Sequence, residues 1–160
     1  MKSTIQDKNK LVNSVFSDVH EKYDLMNDIM SLGIHRAWKK KFIDWMNPQP
    51  ETKLIDVASG TGDIAKLFLD ETKYSSQITC VEPNIQMLNQ GKKRLKKYEN
   101  IEWLNAPAEK IPTKNNTFDY YSISYGIRNV SDIHAVLKEA FRVLKPGGRF
   151  MCLEFSKIDN

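Results

Sequence analysis

The sequence has few of the residues from which disulfide frameworks and metal sites are built. Only two of its 160 residues are cysteine and three are histidine, and the cysteine spacing suits neither a metal site nor a redox pair. We therefore predict no bound metal. Cys80 and Cys152 lie in apolar, strand-like runs, so both are predicted to be buried free thiols of a protein kept in a reducing compartment.

Long apolar runs are also missing. No stretch approaches the roughly 20 residues needed to span a bilayer, and the N-terminus has no apolar core of a signal peptide, so we predict a cytoplasmic location. The net charge of +4 permits an anionic partner without requiring one. The lysine clusters at 39–41 and 92–97 lack interleaved aromatic residues. They are interpreted as solvated helix faces, and no nucleic-acid partner is predicted.

What the chain does contain is an alternation of strand and helix patterns after residue 49. Five apolar runs predict strands, at 54–57, 77–81, 101–104, 118–123 and 150–155. Such alternation is typical of an α/β fold, a Rossmann-like three-layer sandwich with a mainly parallel sheet and right-handed crossovers. Ser131 is the predicted N-cap of the last helix, which Pro146-Gly147-Gly148 is expected to end.

The first 48 residues have a different pattern. After about ten polar residues, predicted to be frayed, they are helical in period and rich in methionine and aromatic residues. Methionine adapts to irregular shapes, which favours a lid or pocket wall for a large apolar ligand. The simpler alternative is that these helices cover the sheet. We predict residues 1–48 as a lid and substrate-pocket segment and residues 49–160 as the nucleotide-binding core of one globular domain.

A glycine-rich turn follows the first predicted strand. Gly60-Thr61-Gly62-Asp63-Ile64-Ala65 fits the G-x-G-x-x-A form of the dinucleotide fingerprint. Glu82, about 20 residues further on, is placed to bind ribose hydroxyls. The motif alone leaves both NAD and S-adenosylmethionine as candidates.

The charge around this turn separates the two nucleotides. Asp56 and Asp63 flank the glycines. They would repel a pyrophosphate but suit an ammonium and a sulfonium. Placing one such carboxylate next to a phosphate costs on the order of several kcal/mol. The pattern favours S-adenosylmethionine. Asp63 has an alternative role in complementing a helix dipole, whereas Asp56, inside an apolar strand, is costly without a partner.

Four blocks of the sequence resemble the ubiquinone/menaquinone C-methyltransferase family. They are Tyr23–Asp28 with Ser31–Arg36, the Asp56–Asp63 loop, Ser124–Val130, and Arg142–Arg149 with Leu153–Lys157. The glycine loop and the Lys-Pro-Gly-Gly turn are common to many class I methyltransferases, whereas the N-terminal block and the Gly126–Asn129 segment are far more specific. The resemblance implies a class I methyltransferase fold and methyl transfer from S-adenosylmethionine to a ring carbon of a polyprenylated quinol. The acceptor would be demethylmenaquinol, 2-methoxy-6-polyprenyl-1,4-benzoquinol, or both.

The resemblance also implies roles for single residues. Together with the loop, it gives these cofactor-binding residues: Asp56, Gly60, Thr61, Gly62, Asp63, Glu82, Pro107, Ala108 and Ser124. The family often has aspartate at the position of Glu82 and asparagine at the position of Pro107. Arg128 is the candidate for stabilising a phenolate, with a helix-side salt bridge as its alternative. Asn129 is expected to orient the substrate or cap a helix, and Tyr23 to act as a base or orienting group.

A prenylated acceptor implies peripheral contact at the inner face of a membrane. A homodimer, or association with other quinone-biosynthesis proteins, is left open. Members of the family continue past the fifth strand with a helix and an antiparallel strand pair, so we expect this chain to be truncated at its C-terminus, with the fifth strand an edge. Two alternative functions remain: methylation of a small soluble acceptor, and a non-catalytic S-adenosylmethionine-binding fragment.

Overall fold

The structure, a computed structural model, describes residues 33–155. The chain divides into two units, Met1–Trp38 and Lys39–Asn160. The described helices are α1 (Ile34–Met46), α2 (Asp63–Glu71), α3 (Ile85–Arg94) and α4 (Ile133–Val143), with a short 3-10 turn at Ile127–Asn129. The described strands are β1 (Lys53–Val57), β2 (Gln77–Val81), β3 (Ile101–Leu104), β4 (Phe118–Ser124) and β5 (Leu144–Leu153).

All five strands run parallel in one sheet, in the order β3-β2-β1-β4-β5. The predicted α/β class is therefore confirmed. The direction in which successive strands are added reverses between β1 and β4. In open parallel sheets, the crevice beyond the carboxyl ends of the strands at such a reversal is where ligands bind. The loops that follow β1 and β4 meet at this point.

The core lies on both faces of the sheet, which gives three layers. One apolar cluster joins the sheet to α4 through residues such as Val136 and Val143, and the other joins it to α1 and α2 through Phe42 and Phe68. Ile55 and Phe68 are fully buried, and burying a side chain of this size contributes about 1.5–3 kcal/mol.

The first turn of α4 differs from the prediction. Its N-cap is Asp132, whose carboxylate accepts the backbone N–H of Ala135 at 3.1 Å. The predicted cap, Ser131, is wrong: its backbone N–H donates to Glu109 at 2.7 Å. Aspartate and serine are both good caps, so residue type alone does not decide between them. The contact of the Ser131 backbone with Glu109 joins residues far apart in the sequence, and the helix starts one residue later than predicted.

β5 is longer than the predicted strand and contains a bulge. Phe118 pairs with Leu144 and Tyr120 with Arg149, so the Lys-Pro-Gly-Gly segment loops out opposite one residue of β4. A Cβ on Gly148 would lie 2.9 Å from the Lys145 carbonyl oxygen, which explains the glycine there. The helix does end before this segment, at Val143.

The two cysteines differ in exposure. Cys80 is buried as predicted, but Cys152 is exposed, so its predicted burial is wrong. Cys152 lies on β5, which pairs only with β4 among the described strands. Across residues 33–155, no helix is long and apolar enough to cross a membrane, and no group of three or more potential metal ligands is found.

Candidate functional site

The glycine loop between β1 and α2 turns through left-handed backbone conformations. Gly60 and Gly62 have φ of 57° and 86°, and Ala58 has φ of 53°. A Cβ on Gly60 would lie 3.2 Å from Met87, and one on Gly62 would lie 3.0 Å from the indole ring of Trp103. The loop therefore needs glycine both for its conformation and for its close packing against these side chains.

Glu82 joins three loops at the carboxyl edge of the sheet. Its buried carboxylate accepts the backbone N–H of Gly60 at 2.8 Å and that of Asn84 at 2.9 Å. The Asn105 side chain, from the loop after β3, donates to the Glu82 carbonyl oxygen at 2.9 Å. The carboxylate thus lies beside the glycine turn, where ribose hydroxyls of a nucleotide bind in this type of sheet.

Asp56 is a buried acid with one hydrogen-bonded oxygen. Only 1% of the residue is exposed. The Ser122 hydroxyl, opposite it on β4, donates to Oδ1 at 2.6 Å, and Oδ2 is buried without a hydrogen-bond partner. Burial, assisted by Asp63 and Glu82, raises the pKa of Asp56 to about 7. The carboxyl group is thus partly protonated near neutral pH, and a cation placed beside it would favour the ionised form.

Asp63, at the start of α2, already has two cationic partners. Lys39 of α1 binds its carboxylate at 2.7 Å, and Arg94 of α3 binds the other oxygen. Although burial raises the pKa of Asp63, these two cations lower it to about 2. Arg94 also donates to the Thr61 hydroxyl at 3.1 Å. Because the charge of Asp63 is compensated within the chain, Asp56 rather than Asp63 is the acid that a cationic ligand would pair with.

A second group of side chains, four of them polar, lies at the carboxyl ends of β4 and β5. This β4–β5 cluster consists of Ser124, Tyr125, Arg128, Glu154 and Phe155. Arg128 forms a salt bridge of 3.3 Å with Glu154 Oε1 and lies over the Phe155 ring, which stacks on Tyr125. The Ser124 and Tyr125 hydroxyls and Glu154 Oε2 are buried without hydrogen-bond partners. Burial and the nearby Glu154 raise the pKa of Tyr125.

The β4–β5 cluster lies next to the glycine loop because their chain segments touch. A Cβ on Gly126 would lie only 2.5 Å from the Ala58 side chain. Tyr125, which adopts φ of 55°, donates its backbone N–H to the Leu153 carbonyl at 2.7 Å. The crevice therefore has the glycine loop on one side and the β4–β5 cluster on the other.

The structure brings most predicted site residues to this crevice edge. The glycine loop and Glu82 are in contact, and Ser124 ends β4. In the loop after β3, Pro107 is exposed and Ala108 is buried, and Asn129 is exposed in the 3-10 turn. Tyr23 lies outside the described residues. The binding and catalytic roles of all these residues stay predictions.

The sequence did not predict that five further side chains contribute to the site. They are Lys39, Arg94, Asn105, Ser122 and Glu154. Strand register could have paired Ser122 with Asp56, since both precede the ends of adjacent parallel strands. The others contact the site only through long-range packing, which no local pattern encodes.

Comparison with known proteins places these features in a family. The model of the ubiE/COQ5 methyltransferase family matches residues 3–160. A mitochondrial 2-methoxy-6-polyprenyl-1,4-benzoquinol methylase of Dictyostelium discoideum is 45% identical over 97% of this chain and 59% of the relative. A ubiquinone/menaquinone biosynthesis C-methyltransferase UbiE of Rickettsia bellii is 50% identical over 95% of this chain and 63% of the relative. The chain thus spans about three fifths of the length of these relatives.

Solved structures share the fold at low sequence identity. An S-adenosylmethionine-dependent methyltransferase from Aquifex aeolicus superposes with a TM-score of 0.69 and 20% identity, covering 76% of this chain and 66% of that one. The YcgJ protein of Bacillus subtilis gives a TM-score of 0.69 and 24% identity, covering 75% and 51%. At these identities the likeness shows the fold alone.

Proposed function

This chain belongs to the ubiE/COQ5 methyltransferase family, and on that premise we propose that it binds S-adenosylmethionine and serves the C-methylation of a polyprenylated quinol. The acceptor is demethylmenaquinol, 2-methoxy-6-polyprenyl-1,4-benzoquinol, or both. One observation carries the proposal: the Glu82 carboxylate holds the glycine turn at 2.8 Å, at the carboxyl edge of a parallel sheet, in a chain that the family model matches throughout residues 3–160.

The donor groups of the site suit S-adenosylmethionine. A carboxylate accepts up to about four hydrogen bonds, so Glu82 can hold the glycine turn and a ribose hydroxyl together. The buried Oδ2 of Asp56 has no hydrogen-bond partner and suits the ammonium group or the sulfonium. Thr61 and Ser124 are the remaining predicted side-chain contacts, with Pro107 and Ala108 beside the adenine.

When bound, the cofactor supplies an electrophilic methyl group on a sulfonium. The residues of the chain have to exclude water, hold the acceptor carbon in line with that methyl group and help the ring hydroxyl lose its proton. Positioning of this kind supplies a large part of the acceleration in methyl transfer. Arg128 is proposed to stabilise the phenolate, while Asn129 and Tyr23 orient the ring.

Titration calorimetry with S-adenosylmethionine tests the first half of the proposal. We expect saturable binding to the 160-residue chain. Glu82→Ala should weaken it about tenfold or more, the loss associated with a charged hydrogen bond. The matched control is Glu99→Ala, an exposed acid at the opposite edge of the sheet, which should leave the affinity unchanged. Absence of binding at millimolar cofactor would refute the proposal.

A methyl-transfer assay tests the second half. Short-chain demethylmenaquinol and a short-chain 2-methoxybenzoquinol are compared with a simple soluble phenol, under reducing conditions. Transfer to a quinol favours the proposal. Preferential transfer to the soluble phenol would favour a methyltransferase of small acceptors, and cofactor binding without transfer to any acceptor would favour the non-catalytic fragment.

We further propose a cytoplasmic protein that touches the inner face of the membrane, where its prenylated acceptor resides, and that associates with a second copy or with other quinone-biosynthesis proteins. Sedimentation with vesicles that contain a long-chain quinone tests the membrane contact. Recovery of the protein in the supernatant at all lipid concentrations would contradict it.

A further inference from the structure

Glu154 has an incomplete set of hydrogen bonds. Its Oε1 accepts from Arg128 at 3.3 Å and from the Phe155 backbone N–H at 2.9 Å, whereas Oε2 is buried without a partner. Buried carboxylate oxygens are almost always hydrogen-bonded, so such an atom is a place where a ligand donor is missing. The salt bridge and the backbone donor fix the carboxylate, and hence the orphaned oxygen.

Two more orphaned polar atoms lie in the same cluster. The hydroxyl groups of Ser124 and Tyr125 are buried without partners. Tyr125 also holds a left-handed backbone conformation, with φ of 55°, of the kind that costs about 1–3 kcal/mol and gathers at functional sites. The Glu154 oxygen can only accept a hydrogen bond, whereas the two hydroxyl groups can donate or accept, so together they suit a ligand with several polar atoms.

We propose that Glu154 Oε2 accepts the hydrogen bond, and then the proton, of a ring hydroxyl on the acceptor, and is thus a catalytic residue of the methyl transfer. This inference rests on the proposed function. Arg128 then acts through Glu154, as a positioning residue that holds the carboxylate, in addition to any contact with the ring oxygen. An acid with a fixed orientation and a single open acceptor atom suits a phenolic O–H, which has one proton to donate.

With Glu154 as the proton acceptor, each proton and electron pair of the methyl transfer has a defined destination. The ring hydroxyl gives its proton to Glu154 Oε2, and the electron density released makes the adjacent ring carbon nucleophilic. That carbon bonds to the methyl carbon while the S–CH₃ bond breaks, with its electron pair staying on sulfur. The carbon then loses its own hydrogen as a proton, and the ring oxygen takes back the proton held by Glu154. One proton is released for each methyl group transferred.

A ligand comparison isolates the proposed hydrogen bond without relying on turnover. Binding of a 2-methoxy-6-alkyl-1,4-hydroquinone and of its dimethyl ether, which has no hydroxyl proton, is measured by calorimetry on the full chain saturated with S-adenosylhomocysteine. In the wild type the hydroquinone should bind more tightly than the ether. In Glu154→Gln, which has the same shape, this preference should fall about tenfold or more, with cofactor affinity unchanged.

Glu139→Gln is the matched control. Glu139 also pairs with an arginine, Arg142, and its side chain has the same exposed fraction as that of Glu154, 16%. Both of its oxygens are hydrogen-bonded, so its replacement should leave the hydroquinone preference intact. Thermal midpoints verify folding. If Glu154→Gln does not fold, Glu154→Asp takes its place and should also reduce the preference.

The outcomes separate this inference from the function on which it rests. Equal loss for both ligands in the Glu154 variants, or no loss, overturns the role of Glu154 while leaving the proposed function standing. A wild type that binds S-adenosylhomocysteine but prefers the ether overturns the role of Glu154 alone, whereas one that binds neither these two compounds nor a short-chain demethylmenaquinol overturns both. A Glu154→Gln variant that methylates demethylmenaquinol as fast as the wild type does also overturns the role of Glu154.

Discussion

Asp56 shows how a single buried group links the fold to its ligand. Without a ligand, the Asp56 carboxyl group is buried, and only one of its two oxygens has a hydrogen-bond partner. Its raised pKa means that the ionised form is disfavoured until a cation arrives. The same residue that weakens the ligand-free fold can therefore strengthen the binding of a positively charged cofactor.

Asp56→Asn tests the cost of this acid. Because the pKa is raised from 3.8 to about 7 in the folded state, the group favours folding below about pH 4, and that contribution is lost as the pH rises to about 7. Replacing it by a neutral amide should stabilise the variant relative to wild type, by on the order of a few kcal/mol more at pH 8 than at pH 4. Urea unfolding at several pH values measures this difference. A difference that does not change with pH would contradict the assignment.

Gly126→Ala tests the contact between the two loops. The added methyl group would lie 2.5 Å from the Ala58 side chain. The loops must separate, at a cost of about 1–3 kcal/mol in unfolding free energy, and cofactor affinity should fall because the glycine loop shifts. Thermal unfolding and cofactor titration measure both effects. The double variant Gly126→Ala with Ala58→Gly removes the clash, so failure to recover would show that the contact is not the cause.

Among the secondary-structure elements, α2 is held at its N-terminus by one residue from α1 and one from α3. Lys39 of α1 and Arg94 of α3 both bind Asp63. Arg94 extends this link to Thr61, so the position of the glycine loop depends on contacts with α1 and α3 as well as on its own glycines. Both ion pairs are partly exposed, which limits their strength through solvent screening.

Asp63→Asn should lower the unfolding free energy by about 1 kcal/mol at pH 7. Because the pKa of Asp63 is lowered from 3.8 to about 2, this contribution is present above pH 4 and lost as the pH falls through 2. Denaturant unfolding at pH 7 and in acid measures it. The control is Asp70→Asn on the same helix, whose carboxylate has the same exposed fraction but forms its ion pair within α2, with Lys66, and accepts a hydrogen bond from the nearby Tyr74 hydroxyl at 3.0 Å. Its effect should be a few tenths of a kcal/mol.

The sequence predicted the elements well because their signals are local. β2 and β3 match the predicted bounds, and Gly60 and Gly62 have the positive φ that a glycine turn requires. The errors and omissions have a common cause in tertiary contacts. Glu109 holds Ser131, and the outer edge of β5 exposes Cys152. Likewise, the pairing of Asp63 with Lys39 and Arg94 joins residues that are 24 and 31 positions apart.

For the second unit as a whole, the surface at α4 and β5 is unusually apolar. Ile133, Leu137 and Phe141 are exposed at four-residue spacing along α4, and Phe141 is 84% exposed. β5 is an edge strand within residues 33–155, and its Phe150 is exposed as well. Unpaired edges and apolar stripes of this kind favour association with another surface.

We therefore expect the 160-residue chain to self-associate as its concentration rises. Leu137→Glu with Phe141→Glu should shift the distribution toward monomer, since both side chains are exposed and neither belongs to the two apolar clusters of the core. Sedimentation velocity from about 1 to 100 μM measures the distribution. The control is Trp45→Glu, a comparably exposed apolar residue on α1. A wild type that sediments as monomer at every concentration would contradict the prediction.

The packing of Trp103 against the glycine loop has a spectroscopic consequence. Its indole ring lies where a side chain on Gly62 would be, and it also fills the space beside Gly91 on α3. The chain has two other tryptophans, Trp38 and Trp45. Replacing these two by phenylalanine leaves a single tryptophan, which can be excited selectively over the six tyrosines and whose emission depends on the conformation of the loop. Ligand binding can then be followed in real time, without an added label, by the fluorescence of Trp103.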